Sequence, residues 1–253
     1  MTKPISLSLF RFTNGNDVAS YSGGWKVSAG DTVNTLNGKN KITTETSAYS
    51  AIDIQGTLRS GNGADVITAT NTKEFGDAVV CNGLIDVGSG GDKITGTGYC
   101  GIFNLGRISM GAGNDTITGI AVSAYGFAGH AIDNRGTIDM GDGDDIVDAL
   151  KGGFSCGSGN DISGTINMGS GNDIVKGFGA QHINGGPGVD RLVFGSGSYQ
   201  IRAVAGIPGV FSITNGTAIN GDLCEMFVCG FEKIKVGSAN FNFRAGIFTA
   251  FAF

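Results

Sequence analysis

The chain is poor in proline, histidine, tryptophan and glutamate, and it contains no long apolar run. Only 3 prolines occur in 253 residues, which excludes a collagen-like fibre and a proline-rich linker. There are 18 Asp but only 4 Glu, an imbalance that favours turns and hard-metal sites over general surface acidity. No apolar stretch reaches the roughly 18 residues of a transmembrane helix, and the start of the chain is too polar for a secretory signal peptide.

Positive charge is scarce as well. The formal net charge is −5, charged residues make up 15% of the chain, and no basic stripe runs along it. A nucleic-acid partner is therefore not expected, because nothing would neutralise the phosphates. Hydrophobic residues, at 40%, are numerous enough to fill a core, so general disorder is also excluded.

Glycine is in excess, with 46 copies, and it marks an internal repeat. A phrase that opens with glycine and carries aspartate at the fourth position after it returns at nearly regular intervals along the chain. We number positions from that first glycine as zero, so that the aspartates at position four are Asp65, Asp92, Asp115, Asp145 and Asp173. Their spacing falls in the range of roughly 20–50 residues that is typical of stacked supersecondary units.

The residues around each phrase alternate between apolar and polar. Position −3 is always aliphatic, the next residue is polar, and a second aliphatic residue stands at position six. This pattern predicts two half-buried strands that meet at a glycine-rich corner. We therefore predict an all-β fold, a right-handed parallel β-helix or β-roll of stacked repeats with a strand-rich C-terminal cap.

Three segments follow from the repeat pattern. Residues 1–50 are predicted to form an N-terminal cap with degenerate turns, and residues 51–195 the glycine- and aspartate-rich β-helix. Residues 196–253 alternate in short runs and should cover the open end of the helix, because an uncovered last turn would be a sticky strand edge.

The last copy of the phrase, GGPGVDRLV over residues 185–193, fits the nonapeptide GGxGxDxUx at every fixed position. Here the chain resembles the RTX, or haemolysin-type, calcium-binding repeat family, and the resemblance covers roughly residues 51–195. It implies Ca²⁺ held by aspartates and glycine carbonyls of successive turns. The implied metal ligands are Asp65, Asp92, Asp115, Asp145, Asp161, Asp173 and Asp190. Asp142 and Asp144 are added as ligands because they surround Asp145 in the acidic corner at residues 141–148, which is expected to be the strongest site.

The chain departs from that family in one respect. Family repeats usually run in direct tandem, whereas most turns here are wider and have one corner each, so calcium would form a single file at most. A metal-free ladder, in which Asn and Asp side chains bond to neighbouring backbone amides, is the alternative. Carboxylates about 5 Å apart repel by only ~1 kcal/mol in water, so that ladder is physically possible.

No HExxH or P-loop motif occurs, and no catalytic residues are assigned. A glycan-cleaving site remains open, and its candidates are Glu74, Asp53, Asp133 and Arg135, with Tyr99 and Tyr125 as sugar-stacking or packing residues. The histidines, His130 and His182, stand at different places in the repeat and are predicted to be solvated loop residues.

The resemblance implies a non-enzymatic, calcium-stabilised structural protein of a surface layer, matrix or adhesion system, exported by type I secretion. A carbohydrate-active enzyme or glycan-binding module is the first alternative, and a self-assembling filament or layer subunit is the second. Five cysteines fit a secreted protein of this family poorly and keep a cytoplasmic location open. Small buried thiols are expected, and Cys224 with Cys229 is the only pair close enough in sequence to suggest a bridge.

Overall fold

The computed structural model describes residues 3–47, 49–123, 129–156, 164–219 and 222–250, which form a parallel β-solenoid. The only helix in these residues is a short 3-10 turn, Leu7–Leu9. The predicted all-β fold of stacked parallel repeats is therefore confirmed.

The strands are short, and most turns of the chain contain three of them. In chain order they are β1 (Ile5–Ser6), β2 (Val18–Tyr21), β3 (Trp25–Val27), β4 (Thr32–Asn34), β5 (Lys41–Thr46), β6 (Ser50–Ile54), β7 (Thr57–Arg59), β8 (Val66–Asn71), β9 (Asp77–Cys81), β10 (Leu84–Asp86), β11 (Lys93–Gly98), β12 (Cys100–Asn104), β13 (Arg107–Ser109), β14 (Thr116–Ala121), β15 (His130–Asn134), β16 (Thr137–Asp139), β17 (Ile146–Lys151), β18 (Thr165–Asn167), β19 (Ile174–Lys176), β20 (His182–Asn184), β21 (Arg191–Phe194), β22 (Gly197–Ala203), β23 (Phe211–Ile219), β24 (Asp222–Cys229), β25 (Lys233–Val236), β26 (Ala239–Asn242) and β27 (Gly246–Ala250).

Successive turns stack these strands into three sheets. Sheet A has the order β1-β3-β6-β9-β12-β15, and sheet B has the order β2-β5-β8-β11-β14-β17-β19-β21-β25-β26. Sheet C has the order β4-β7-β10-β13-β16-β18-β20-β24-β23-β22-β27. Each copy of the phrase that the structure describes forms the corner where the chain passes from sheet C to sheet B, so these corners lie above one another along the solenoid.

The aliphatic positions of the repeat form continuous rows inside the solenoid. In sheet C, position −3 of successive turns pairs in register, and every member is almost fully buried: Leu58, Ile85, Ile108, Ile138 and Ile166. Position six forms the matching row in sheet B: Ile67, Ile94, Ile117, Val147 and Val175. Alternation places these side chains inward because successive strand residues point to opposite faces of a sheet.

Glycine at the corners is required by the close approach of neighbouring turns. Gly111 has φ +96° and Gly113 has φ +139°. A Cβ atom on Gly113 would lie 1.3 Å from the carbonyl oxygen of Gly90 in the adjacent turn, which is far inside van der Waals contact. The repeated glycines therefore set how tightly the corners stack.

The solenoid extends beyond the predicted repeat segment at both ends. Towards the N-terminus, β2 and β5 already pair in parallel within sheet B, and β3 pairs with β6 in sheet A. After residue 195, β24 and β25 continue the parallel stack on β20 and β21. Antiparallel strands β22, β23, β26 and β27 then complete the C-terminal end, as expected for a cap.

The suspected Cys224–Cys229 bridge is wrong. Cys224 instead forms a disulfide with Cys156, across 68 residues of sequence. Cys224 and Cys229 lie on the same strand, β24, at positions of opposite parity, so their side chains point to opposite faces. Cys81 and Cys100 are buried free thiols, as expected, whereas Cys229 is a half-buried one.

Candidate functional site

The aspartates at position four form a single file inside the corners. Each of the six that the structure describes is at most 3% exposed: Asp65, Asp92, Asp115, Asp145, Asp173 and Asp190. In each, Oδ1 accepts a hydrogen bond from the backbone N–H of the position-four residue in the preceding turn. The N···O distances lie between 2.6 and 2.9 Å. The aspartates thus connect every turn to the next by a side-chain bond.

Two other residues extend this ladder. At its start, Asn40 takes the aspartate position and accepts from the backbone N–H of Asp17 at 3.1 Å. At its end, Oε2 of Glu232 accepts from the backbone N–H of Asp190 at 2.7 Å. The side-chain-to-backbone hydrogen bonds of the predicted metal-free ladder are therefore present. They run from residue 17 to residue 232.

The second oxygen of each carboxyl is different. Five of the Oδ2 atoms are buried and have no hydrogen-bond partner: those of Asp92, Asp115, Asp145, Asp173 and Asp190. Only Oδ2 of Asp65 is bonded, to the hydroxyl of Ser60 at position −1. In the other five corners position −1 has no hydroxyl; the residues there are Val87, Met110, Met140, Met168 and Gly185.

Asn40, which stands at the same position of an earlier corner, shows which groups line that corner. Its Nδ2 donates to the carbonyl oxygen of Leu36 at 3.5 Å, to that of Gly38 at 3.3 Å and to Oγ1 of Thr35 at 3.2 Å. Leu36 and Gly38 are positions zero and two of the same corner, and both have positive φ like the glycines of later corners. An Oδ2 atom in the equivalent place would face carbonyl oxygens, and it would then need a proton or a cation in between.

The pKa values of the file agree with this geometry. Burial raises the pKa of Asp92 and Asp145 from an ordinary 3.8 to about 7, and that of Asp115 and Asp190 to about 6. The N–H bond to Oδ1 acts in the opposite direction, while neighbouring carboxylates raise the pKa of Asp92, Asp145 and Asp190 further. Burial also raises the pKa of Asp65 and Asp173. Neutralising these groups is therefore favourable in the folded protein.

The corners offer a cation only oxygen donors, the kind that calcium prefers. At the first corner a cavity of about 10 Å³, lined by Asn40, Ser60 and Asp65 among others, has room for about one water-sized group. Within the described residues no group of three or more His, Cys, Asp or Glu side chains could hold a metal. The donor chemistry thus fits a hard cation, but most of its ligands would have to be backbone carbonyls.

The acidic corner at residues 141–148 does not form one cluster. Asp145 points inward, whereas Asp142 and Asp144 are exposed on the outer side of the corner. Oδ1 of Asp142 accepts from the Ser170 hydroxyl at 2.7 Å, and Oδ1 of Asp144 accepts from the backbone N–H of Asn172 at 2.7 Å. These carboxyls do not converge on one point, because Asp145 and its exposed neighbours face opposite sides of the chain. The remaining predicted ligand, Asp161, lies outside the described residues.

The candidate catalytic carboxylates are not brought together. Asp53 and Asp133 share one row of sheet A, but β9 and β12 lie between their strands, so they are about 14 Å apart at about 4.8 Å per strand. That exceeds the spacing of glycosidase carboxylate pairs. Arg135 holds Asp133 in an ion pair of 3.0 Å. Glu74 is exposed and lies outside that row.

Sheet A does contain a carboxylate that the sequence did not point to. Burial is the main cause that raises the pKa of Asp77 to about 6, and the nearby Asp133 carboxylate adds a smaller increase. The nearby Tyr99 packs edge-on against Phe75 at 4.9 Å, and Tyr125 lies outside the described residues. Because Asp77 stands at a position where the other turns have Ser, Cys or His, the repeat register could not single it out.

The two histidines lie on strands, not in loops, which corrects the prediction. His130 begins β15, where it pairs with Cys100 of β12, and His182 begins β20. The His182 ring stacks on Phe227 at 5.1 Å with an interplanar angle of 17°. His130 was placed wrongly because the insert before it interrupts the repeat.

Fold and site together define a parallel β-solenoid with one buried aspartate at each regular corner. Comparison with protein-family models, with curated proteins and with solved structures gives no match to this chain. Across the part of the chain that the structure describes, no helix has the length and apolar character needed to cross a membrane.

Proposed function

We propose that this chain is a structural repeat protein and that Ca²⁺ binds along its file of buried aspartates. The observation that carries the proposal is the set of buried Oδ2 atoms without a partner at successive corners. A buried carboxylate without a partner is costly, and a cation beside it removes that cost. Bound only by the folded corners, calcium would stabilise the stacked turns.

The spacing of the corners supports an ion shared between turns. Neighbouring strands in a sheet lie about 4.8 Å apart, so one ion with ligand distances of about 2.4 Å could contact carboxyls of two turns. The ligands would be Oδ2 atoms of the file together with carbonyl oxygens of positions zero and two, the groups to which Asn40 donates in its own corner. Ca²⁺ would supply the positive charge that the file lacks.

An extracellular or cell-surface role in a matrix, surface layer or adhesion system is part of the same proposal. Extracellular calcium modules have dissociation constants of about 10⁻⁴–10⁻³ M, which suits sites that fill only outside the cell. The fold would then be stiffened after export. The stack of turns would be the scaffold for such a role.

The test compares inner with outer aspartates. Urea unfolding is measured with excess calcium and with chelator for the native chain, for the inner pair Asp115→Asn with Asp145→Asn, and for the outer pair Asp142→Asn with Asp144→Asn. If calcium is present at about 100 times its dissociation constant, the native chain should gain about 2.7 kcal/mol from each independent site. The outer variant should keep this gain and the inner variant should lose most of it.

Calorimetric titration with calcium gives the stoichiometry on the same three proteins. The calcium proposal is refuted if calcium changes neither stability nor heat in the native chain. It is equally refuted if only the outer pair abolishes binding. An inner pair that is more stable than the native chain in chelator, with no response to calcium in either, would assign the file to neutral aspartic acids.

A further inference from the structure

Three strands at the C-terminal end of sheet B carry a row of hydrogen-bond donors on their outer face. Arg191 of β21 pairs in register with Lys233 of β25, and Lys233 pairs with Asn242 of β26. The parallel row two residues further along contains Lys235 and Asn240, which also pair in register. Register partners on neighbouring strands share a face, so all five side chains lie together.

This arrangement is unfavourable without a partner of opposite charge. Like charges directly opposite one another destabilise a sheet, and Arg191 and Lys233 are such a pair. Among the described residues, neither makes an ion pair with a carboxylate. The acid next in sequence, Glu232, uses Oε2 to accept the backbone N–H of Asp190. A protein of net charge −5 thus places two cationic side chains side by side here, and within the described residues no ion pair joins either of them to a carboxylate.

Four of these residues also line an open cleft, together with Phe241. Arg191, Lys233, Asn240, Phe241 and Asn242 border a volume of about 500 Å³, which is much larger than a single ion needs. Nζ of Lys233 donates to Oδ1 of Asn242 at 2.9 Å, which leaves the Nδ2 donors of that amide free. The cleft therefore presents charged and neutral donors with no carboxylate among its lining residues.

We propose that this cleft binds an acidic sugar unit of a polysaccharide. Its carboxylate or sulfate group would bridge Arg191 and Lys233, with the guanidinium able to make two parallel bonds to the oxyanion. The amides of Asn240 and Asn242 would bond the ring hydroxyls. The volume of the cleft favours a sugar over a bare anion, and the small size of the basic patch on an acidic protein disfavours nucleic acid.

Binding is measured by calorimetry in chelator, so that it does not depend on calcium at the aspartate file. The ligands are a uronic-acid tetrasaccharide, the neutral tetrasaccharide of the same linkage, and sulfate ion alone. The acidic tetrasaccharide should bind at least tenfold more tightly than either of the others. The variant carrying Arg191→Gln and Lys233→Met should weaken that binding at least tenfold.

A matched control removes two lysines from the same row of the same sheet. Lys41 and Lys93 occupy the equivalent outer positions of β5 and β11, far from the cleft, and Lys41→Met with Lys93→Met should bind as the native chain does. Should the cleft variant not fold, the native chain still tests the charge contact, because its affinity should fall as sodium chloride rises. Equal binding of the neutral sugar, equal binding of sulfate alone, affinity independent of salt, or an equal loss in the control would each overturn the proposal.

Discussion

Replacing Asp115 by asparagine in the absence of calcium should stabilise the protein at neutral pH. The asparagine Oδ1 can still accept the backbone N–H of Asp92, a bond of 2.7 Å in the native chain. Its Nδ2 can donate to corner carbonyl oxygens, as Nδ2 of Asn40 already does. The substitution therefore keeps the ladder and removes a buried charge.

The magnitude follows from the raised pKa. Burial raises the pKa of Asp115 from 3.8 to about 6, and each unit of pKa corresponds to about 1.36 kcal/mol, so the ionised carboxylate costs about 3 kcal/mol in the folded state. Because the folded pKa lies above the unfolded one, this carboxyl's contribution is fully present below about pH 4. It is lost as pH rises through about 6. Above that range the variant should exceed the native chain by up to about 3 kcal/mol.

The assay is urea unfolding in chelator at intervals from about pH 4 to about pH 8. The native chain should lose stability steeply across this window, because Asp92 and Asp145, whose pKa is raised to about 7, add to the same trend. The variant should show a shallower decline. Asp31→Asn is the control, since that aspartate is exposed, and it should leave the pH profile unchanged.

One result would refute the reasoning about the second oxygens. If Asp115→Asn destabilised the protein in chelator at every pH by as much as a core defect, about 2 kcal/mol or more, Oδ2 would be making a favourable contact that the amide cannot replace. If the free energy of unfolding of the native chain did not change between about pH 4 and about pH 7, ionisation of the buried aspartates would not destabilise the folded protein.

Three further outcomes are expected. Gly113→Ala should cost about 4 kcal/mol or more in urea unfolding, because its Cβ would meet a backbone carbonyl oxygen at 1.3 Å, and a loss below about 1 kcal/mol would contradict the close stacking of corners. Ser60→Ala should raise the pKa of Asp65 further and lower the free energy of unfolding by about 1–3 kcal/mol, because it removes the hydroxyl that bonds Oδ2 of Asp65. NMR titration of the carboxyl measures this pKa, and an unchanged pKa would contradict the prediction. Reductant should lower the free energy of unfolding by up to about 4 kcal/mol, because it breaks the Cys156–Cys224 disulfide. It should have no effect on the variant carrying Cys156→Ser and Cys224→Ser. An equal effect on both proteins would show that the loss does not come from this disulfide.

The repeated fold could be predicted because each turn has the same local pattern of apolar and polar residues. Position −3 and position six alternate with polar neighbours in every copy, and that periodicity suffices to predict inward rows and a corner between them. Even the file of aspartates follows, since equal positions in stacked turns must superpose. Asp65, Asp115 and Asp173 lie where the register places them.

The features that were missed depend on the direction of single atoms or on contacts distant in sequence. Counting residues cannot reveal that Oδ1 of Asp115 accepts a backbone N–H while its buried Oδ2 has no hydrogen-bond partner. The basic cleft at Arg191 and Lys233 lies between strands that are far apart along the chain. The antiparallel strand β26 completes the cleft, and no sequence repeat predicts that strand.

The sequence alone thus determined the architecture, the position of every regular corner and which residue type stands at each. Those properties come from local periodicity, which is written many times along the chain. Tertiary structure alone decided which acids are buried and which exposed, as Asp145 and Asp144 show, and which cysteines join. The burial of a side chain and its bonding partner depend on contacts between turns that are distant in sequence. A single position in the sequence has no periodic pattern that predicts such contacts.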